Sequence, residues 1–301
     1  SNIFRTYLDK DEWKTRPQLL ILIPIAAFVV LFALSFISIQ LFWRCMAYLA
    51  LYHFITQQFG FLMYYVSKQE IKINKKLKDK WVIYLGMLYP VFYWHVSGDR
   101  NFEWFTTGDF ILIDDYQFNI LAIGFEILYW TILIGWLFEE LWTHPKDPIS
   151  YGKILWMLTT WLNWYLGIVY FNSDFAFTLT NVVAHGIPYL ALLSVYVTKK
   201  QAIKNKTLYS SNTGIIRLLC LIIITVLVLS YAEEFLWDNL IYQEKGVAFF
   251  SNYTSQPITD SFWLAIVLAI LSLPQVTHYV LDAYIWKVNP SNPFIQETLL
   301  K

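Results

Sequence analysis

Three histidines in this chain sit one helical turn from a polar residue: His53 from Gln57, His185 from Asn181, and His278 from Asp282. Residues at i and i+4 share a helix face, so each pair would present two polar groups side by side. All three histidines lie inside long apolar runs, where an ionisable group is costly and usually serves a function. Histidine is the cheapest such group because it can be buried neutral, and in that form it is the commonest metal ligand. A ligating imidazole typically donates its other ring N–H to a carboxylate or carbonyl, which suits Asp282 beside His278. Glu126 and Asn163 are further polar groups within apolar runs.

Counted from the outer ends of their runs, His53, Glu126, Asn163 and His185 lie roughly 14–16 Å deep at about 1.5 Å per residue. Helices that carry polar groups at one level can build a site between them. The resulting expectation is a metal centre of His53, His185 and His278, with Glu126 as a fourth ligand or an acid/base group. Asp282 is the second acid/base candidate. His278 lies deeper, roughly 10 Å below the others on a straight helix, and a kink at Pro274 would recover part of that distance. The competing expectation is that these histidines hydrogen-bond between helices. His95, in "YWHVSGD", is expected to line an entrance or cap a helix, and His144, in "THPKDP", to be solvated.

The elements that must position these groups follow from composition. Of 301 residues, 57% are hydrophobic and only 15% charged, against about 25% charged in a soluble domain. The apolar residues gather into runs of the length that a hydrocarbon core demands of a spanning helix. Eight such runs cover roughly 18–39, 42–66, 81–97, 117–141, 154–172, 176–198, 214–237 and 261–286. They predict an all-α, polytopic integral membrane helix bundle with about eight transmembrane helices and one integral domain over 1–301. The first two runs nearly merge and predict a tight hairpin at Arg44. Gly186 and Pro188, just after His185, allow a broken helix in the sixth. The run from Gln18 is too long for a removable signal peptide.

Charge gives the orientation. Lys68, Lys72, Lys75, Lys76, Lys78 and Lys80 cluster after the second run, and Lys199, Lys200, Lys204, Lys206 and Arg217 after the sixth. The segment 98–116 instead carries Asp99, Glu103, Asp109, Asp114 and Asp115 against Arg100. Positive charge prefers the cytoplasmic side, so an N-in/C-in topology in an inner or plasma membrane is expected. Tryptophans near the run ends, Trp94, Trp142 and Trp286 among them, suit a headgroup belt. Cys45 and Cys220 supply neither a disulfide framework nor a metal pattern.

Three stretches, "YHFITQQFG", "VVAHGIPYLALL" and "LPQVTHYVLDAYIWK", resemble intramembrane histidine motifs of the Brp/Blh-type β-carotene 15,15′-dioxygenases. That resemblance implies non-haem iron(II), with His53 and His185 as ligands, and oxidative cleavage of a polyene to retinal. His278 is added on its own surroundings. Residues 18–39 lack the His and Asp of that family's first-span motif, and His185 has no second histidine one turn away.

Three functional readings result. The first is a membrane-embedded, Fe(II)-dependent oxygenase acting on a lipophilic small molecule of isoprenoid, carotenoid or acyl type. Histidines with a carboxylate suit non-haem iron and leave positions open for dioxygen. The second is a transporter or channel with a midplane polar site, and the third a non-catalytic subunit among membrane protein partners. The lipid bilayer is a partner in all three. No phosphate loop, catalytic Ser/His/Asp arrangement or nucleic-acid motif is present, and the Lys-rich segments need no nucleic acid to explain them.

Overall fold

In this computed structural model the described residues are 2–67, 73–97, 103–113, 115–143, 149–205, 212–249, 258–287, 292–295 and 297. Among them the chain is helical, with no β-strand. The order is a 3-10 turn Asn2–Phe4, α1 Lys10–Thr15, α2 Pro17–Ile37, α3 Ile39–Ser67, α4 Ile73–Val96, α5 Tyr116–Phe138, α6 Tyr151–Trp164, α7 Asp174–Asn205, α8 Asn212–Trp237, α9 Gly246–Phe249, α10 Ser261–Ile285 and α11 Pro293–Ile295. Wider π-helical turns extend three of these: Glu139–Thr143 after α5, Tyr165–Tyr170 after α6, and Asp238–Tyr242 after α8. By length and composition, five helices are able to cross a membrane: Pro17–Ile37, Ile120–Trp142, Asp174–Ile203, Ile216–Tyr242 and Ser261–Ile285. His144 and the loop charges Lys68, Lys72, Asp99, Arg100, Asp114 and Lys206 lie outside the described residues.

Boundaries follow local chemistry. The first two runs separate at Ser38, not at Arg44. Ser38 is extended (φ −164°, ψ 123°) and its backbone N–H closes α2 on the Leu34 carbonyl. Its hydroxyl accepts from the Leu41 N–H at 3.3 Å, the capping role for which serine is suited. Arg44 stays inside α3 and donates to the Gly108 carbonyl at 3.0 Å. Asp115 and Asp260 cap α5 and α10 through their carboxylates. Helix α4 begins at Ile73, earlier than the apolar run, so Lys75, Lys76, Lys78 and Lys80 ride on its first turns. Helix α7 runs unbroken through Gly186 and Pro188, and α10 through Pro274.

The chain divides into two compact units, residues 43–188 and residues 1–42 with 189–299. In the 43–188 unit, α4 packs on α5, on α6 and on the π turn after α6. Its core is aromatic, with Trp94, Trp136, Trp161, Trp164 and Phe177 fully buried. The Trp161 indole donates to the Val82 carbonyl at 3.2 Å and packs 4.0 Å from the Tyr129 ring. Only glycine fits at 86, because a Cβ there would fall 2.2 Å from that indole.

In the other unit α10 packs along α2. Phe32 and Phe36 meet Phe262 edge-on at 5.8 and 6.5 Å, and the buried Ser35 hydroxyl reaches the Ala265 carbonyl at 3.3 Å. The segment 2–16 docks through polar groups. Arg5, 1% exposed, pairs with Glu12 at 2.5 Å, donates to the Ile285 carbonyl at 3.0 Å and lies 4.4 Å over the Tyr196 ring. Lys200 pairs with Asp9 at 2.5 Å and Asp11 at 3.0 Å. The lysines read as topology markers are therefore also ion-pair partners.

Candidate metal centre and its surroundings

Within the 43–188 unit the structure brings two of the expected residues together. His53 is buried on α3 and His185 half-buried on α7, with ring centroids 5.2 Å apart and planes inclined by 69°. The Phe54 ring meets the His185 ring edge-on at 4.7 Å and the Trp104 ring at 5.8 Å. An aromatic wall thus holds the imidazoles in place. Gln57, one turn along α3 from His53, has both amide heteroatoms buried without a hydrogen-bond partner among the described residues. Asn181, one turn before His185, is 1% exposed, and its Oδ1 is in the same state. Asn163 Nδ2, at the end of α6, is a third such atom.

His278 belongs to the other unit. Its Nε2 lies 3.7 Å from Asp282 Oδ2, its neighbour one turn along α10. The Tyr189 ring stands edge-on to the imidazole at 5.4 Å. Asp282 is tied down: its Oδ1 accepts from Asn2 Nδ2 at 2.7 Å and from the Tyr189 hydroxyl at 3.2 Å. That hydroxyl also contacts Asn2 Oδ1 and accepts from the Trp286 indole at 3.1 Å. The carboxylate near His278 is therefore held from two other elements, the Asn2–Phe4 turn and α7, as a group that orients an imidazole must be. Chemically, His53, His185 and His278 are a set that could bind a metal ion. Three imidazoles are donors that suit iron, zinc, copper or nickel.

Glu126 has a different setting. The Tyr165 hydroxyl, at the start of the π turn after α6, donates to its Oε1. Around this pair Tyr129 lies 5.8 Å and Trp130 4.8 Å from the Tyr165 ring. The Tyr129 hydroxyl is committed to the Trp161 carbonyl at 2.9 Å. Glu126 is thus a carboxylate with a hydroxyl partner, held by aromatic rings.

The His95 ring finds its partners on α4 and α3. Its Nδ1 is 2.6 Å from the Val91 carbonyl, which makes that nitrogen the donor. Nε2 then accepts from the Tyr48 hydroxyl at 2.7 Å, and the same hydroxyl accepts from the Ile111 N–H at 3.2 Å. His95 closes the end of α4, one of the two roles expected of it.

A buried charge cluster escaped the reading of the sequence. Lys153 and Asp79 are both 0% exposed and 3.3 Å apart. Lys153 also pairs with Glu140 at 2.8 Å, Glu140 with Lys75 at 3.2 Å, and the Trp136 indole donates to Asp79 at 2.8 Å. Neither residue stands out in the sequence: Asp79 sits among Lys75, Lys76, Lys78 and Lys80, and Lys153 just before the fifth apolar run. The available signal was a lone carboxylate within "KKLKDKW" facing two more, Glu139 and Glu140, at the end of the fourth run.

No family model, no curated protein and no solved structure matches this chain. The resemblance to the β-carotene dioxygenases stays with the histidine stretches quoted above.

Proposed function

We propose that this chain is a membrane-embedded metalloenzyme of the non-haem iron oxygenase type, with His53, His185 and His278 as the metal ligands. The observation that carries this reading is the contact of the His53 and His185 rings inside an apolar, aromatic core. The substrate class is lipophilic, an isoprenoid, carotenoid or acyl chain, because the surroundings of those rings are apolar, with Phe54 against His185 and Trp104 against Phe54. Bound iron(II) would supply the activation of dioxygen. The chain's own groups do the rest. Asp282, fixed by Asn2 and Tyr189, orients His278, and Glu126 with Tyr165 handles a proton.

The proposed topology is eight crossings with both ends cytoplasmic. Helices α3, α4 and α6 complete the set with the five more apolar ones. They are less apolar because they carry Arg44, His53, Gln57 and Gln58, then Asp79 and His95, then Lys153 and Asn163. Such residues are tolerated at membrane depth when they face protein.

Metal analysis of the purified protein is the test. Wild type should carry about one metal ion per chain, and His53→Ala, His185→Ala and His278→Ala should each fall to background. A wild type without stoichiometric metal, or alanine variants that keep it, sinks the proposal.

A further inference from the structure

We propose that the groove between α8 and α9 is a binding site for one membrane phospholipid whose head group carries a primary amine, the ethanolamine type. The site lies wholly in the unit that contains residues 189–299 and does not depend on the histidines. One wall follows from the sequence. Leu227, Tyr231 and Glu234 stand at i, i+4 and i+7, so α8 presents them as one stripe. The span Ile216–Tyr242 is longer than the about 20 residues that a hydrocarbon core requires. Its end, from about Glu234 through the stacked Trp237 and Tyr242 rings, therefore stands at headgroup level. Leu227 lies roughly 10 Å further into the apolar layer.

A turn builds the opposite wall. After the π turn Asp238–Tyr242, Gln243 takes a left-handed conformation (φ 51°) and the chain reverses. Positive φ at a residue other than glycine persists only where the surroundings impose it. Here the buried Asp238 carboxylate imposes it, accepting from the Glu244 and Lys245 N–H groups at 3.0 and 2.8 Å. The reversal lays α9 back on α8. Phe249 meets Tyr231 at 5.4 Å and Phe235 at 5.9 Å, and Lys245 Nζ comes 3.5 Å from Glu234 Oε2. Between the walls is a groove of about 630 Å³, lined by Leu227, Val228, Ser230, Tyr231, Glu234 and Phe249. That is the size of a small-molecule site.

Charge selects the occupant. The groove is mainly apolar along its length and carries charge only at its Glu234 end, which is the layout of a lipid. Both signs meet there: Glu234 stands beside Lys245, and the exposed Glu233 adds a second carboxylate. Both members of the Glu234–Lys245 pair are more than half exposed, so the pair is worth little by itself. A zwitterionic head group replaces it, with its ammonium on Glu234 and its phosphate on Lys245. An ammonium that donates to a carboxylate makes a charge-assisted hydrogen bond. A choline head has no N–H to donate, a glycerol head has no cation, and a fatty acid would bring a third carboxylate to two others. The acyl chain lies along Leu227, Val228 and Tyr231.

The test is native mass spectrometry of the delipidated protein in detergent. The probes are dioleoyl phosphatidylethanolamine, phosphatidylcholine and phosphatidylglycerol, which share their chains and differ in the head. The ethanolamine lipid should bind roughly tenfold more tightly than the other two, the size of one hydrogen bond to a charged group. Glu234→Gln should lose most of that preference. Lys245→Gln should instead weaken all three lipids, because all three carry the phosphate. Equal wild-type affinity for the three lipids overturns the proposal without any variant needing to fold. An ethanolamine preference that survives Glu234→Gln overturns it as well.

Discussion

The imidazole of His53 stands edge-on to that of His185, two residues 132 positions apart held within one compact unit. Phe54 meets both rings and is itself backed by Trp104, all in the same unit. If these rings share a metal, replacing His185 with Gln should lower metal affinity by at least about 100-fold, since even a group behind a ligand is worth about 10–100-fold. The check is competition with a chromophoric chelator. Unchanged affinity would assign the pair to helix packing.

The Lys153–Asp79 pair should be among the most sensitive points of the molecule. Removing one partner of a fully buried ion pair strands the other, at a cost of about 3–5 kcal/mol. Lys153→Met should therefore be strongly destabilising in thermal unfolding in detergent. Lys153→Met combined with Asp79→Leu should recover part of the loss, which a surface pair would never show.

Two kinds of glycine should separate cleanly. Gly86→Ala drives a methyl into the Trp161 indole, and Gly167→Ala into the Phe177 backbone 2.8 Å from the Cβ position. Each should cost about 1–3 kcal/mol by overpacking. Gly124 and Gly135 have open space at the Cβ position, so alanine there should be neutral or stabilise the helix by about 0.5–1 kcal/mol. Unfolding midpoints of the four variants decide the matter.

How much of this was legible in the sequence depends on what each residue depends on. Helix positions were legible because apolar length is a local property, and the eight expected runs each contain a helix. The helix break at Ser38 was missed because a single serine cap weighs less in a hydropathy profile than the charge of Arg44. Depth put His53 and His185 at one level but put Glu126 and Asn163 there too, so which of them meet depends on helix packing that depth does not carry. The Tyr165 partner of Glu126 was not, since it depends on the π turn that starts at that residue. Asp79 was hidden by its neighbours: four lysines mark a surface, and only the fold shows the one carboxylate turned inward.

Asp109 gives a pH test outside the spans. Its carboxylate is buried and accepts from the Trp104 and Phe105 N–H groups. Burial raises its pKa above the ordinary carboxylate value, against the opposing effect of those backbone donors. The folded loop then binds a proton more tightly than the unfolded one. Its contribution to stability is present at acid pH and declines as pH rises through the window above the ordinary value. Amide exchange at Trp104 and Phe105, corrected for intrinsic rates, should show more protection on the acid side. Asp109→Asn should flatten that dependence.

Tyr48→Phe should release the 109–113 strip. One hydroxyl joins the half-buried His95 to the exposed Ile111 N–H, and its loss removes two hydrogen bonds, at about 0.5–1.5 kcal/mol each at most. Faster exchange at Ile111, with Trp104 and Phe105 less affected, is the expected pattern.

The docking of segment 2–16 carries a consequence for how the protein is made. Asn2 and Arg5 are bonded to Asp282 and Ile285, each 280 positions away. Residues 43–188 can complete their contacts while the ribosome is still translating, since that unit is one continuous stretch. The unit that contains segment 2–16 must wait until α10 has emerged. Segment 2–16 therefore spends most of synthesis without its partners, with Arg5, Lys10 and Lys14 exposed to whatever receives the nascent chain. Its closure has to follow the emergence of α10.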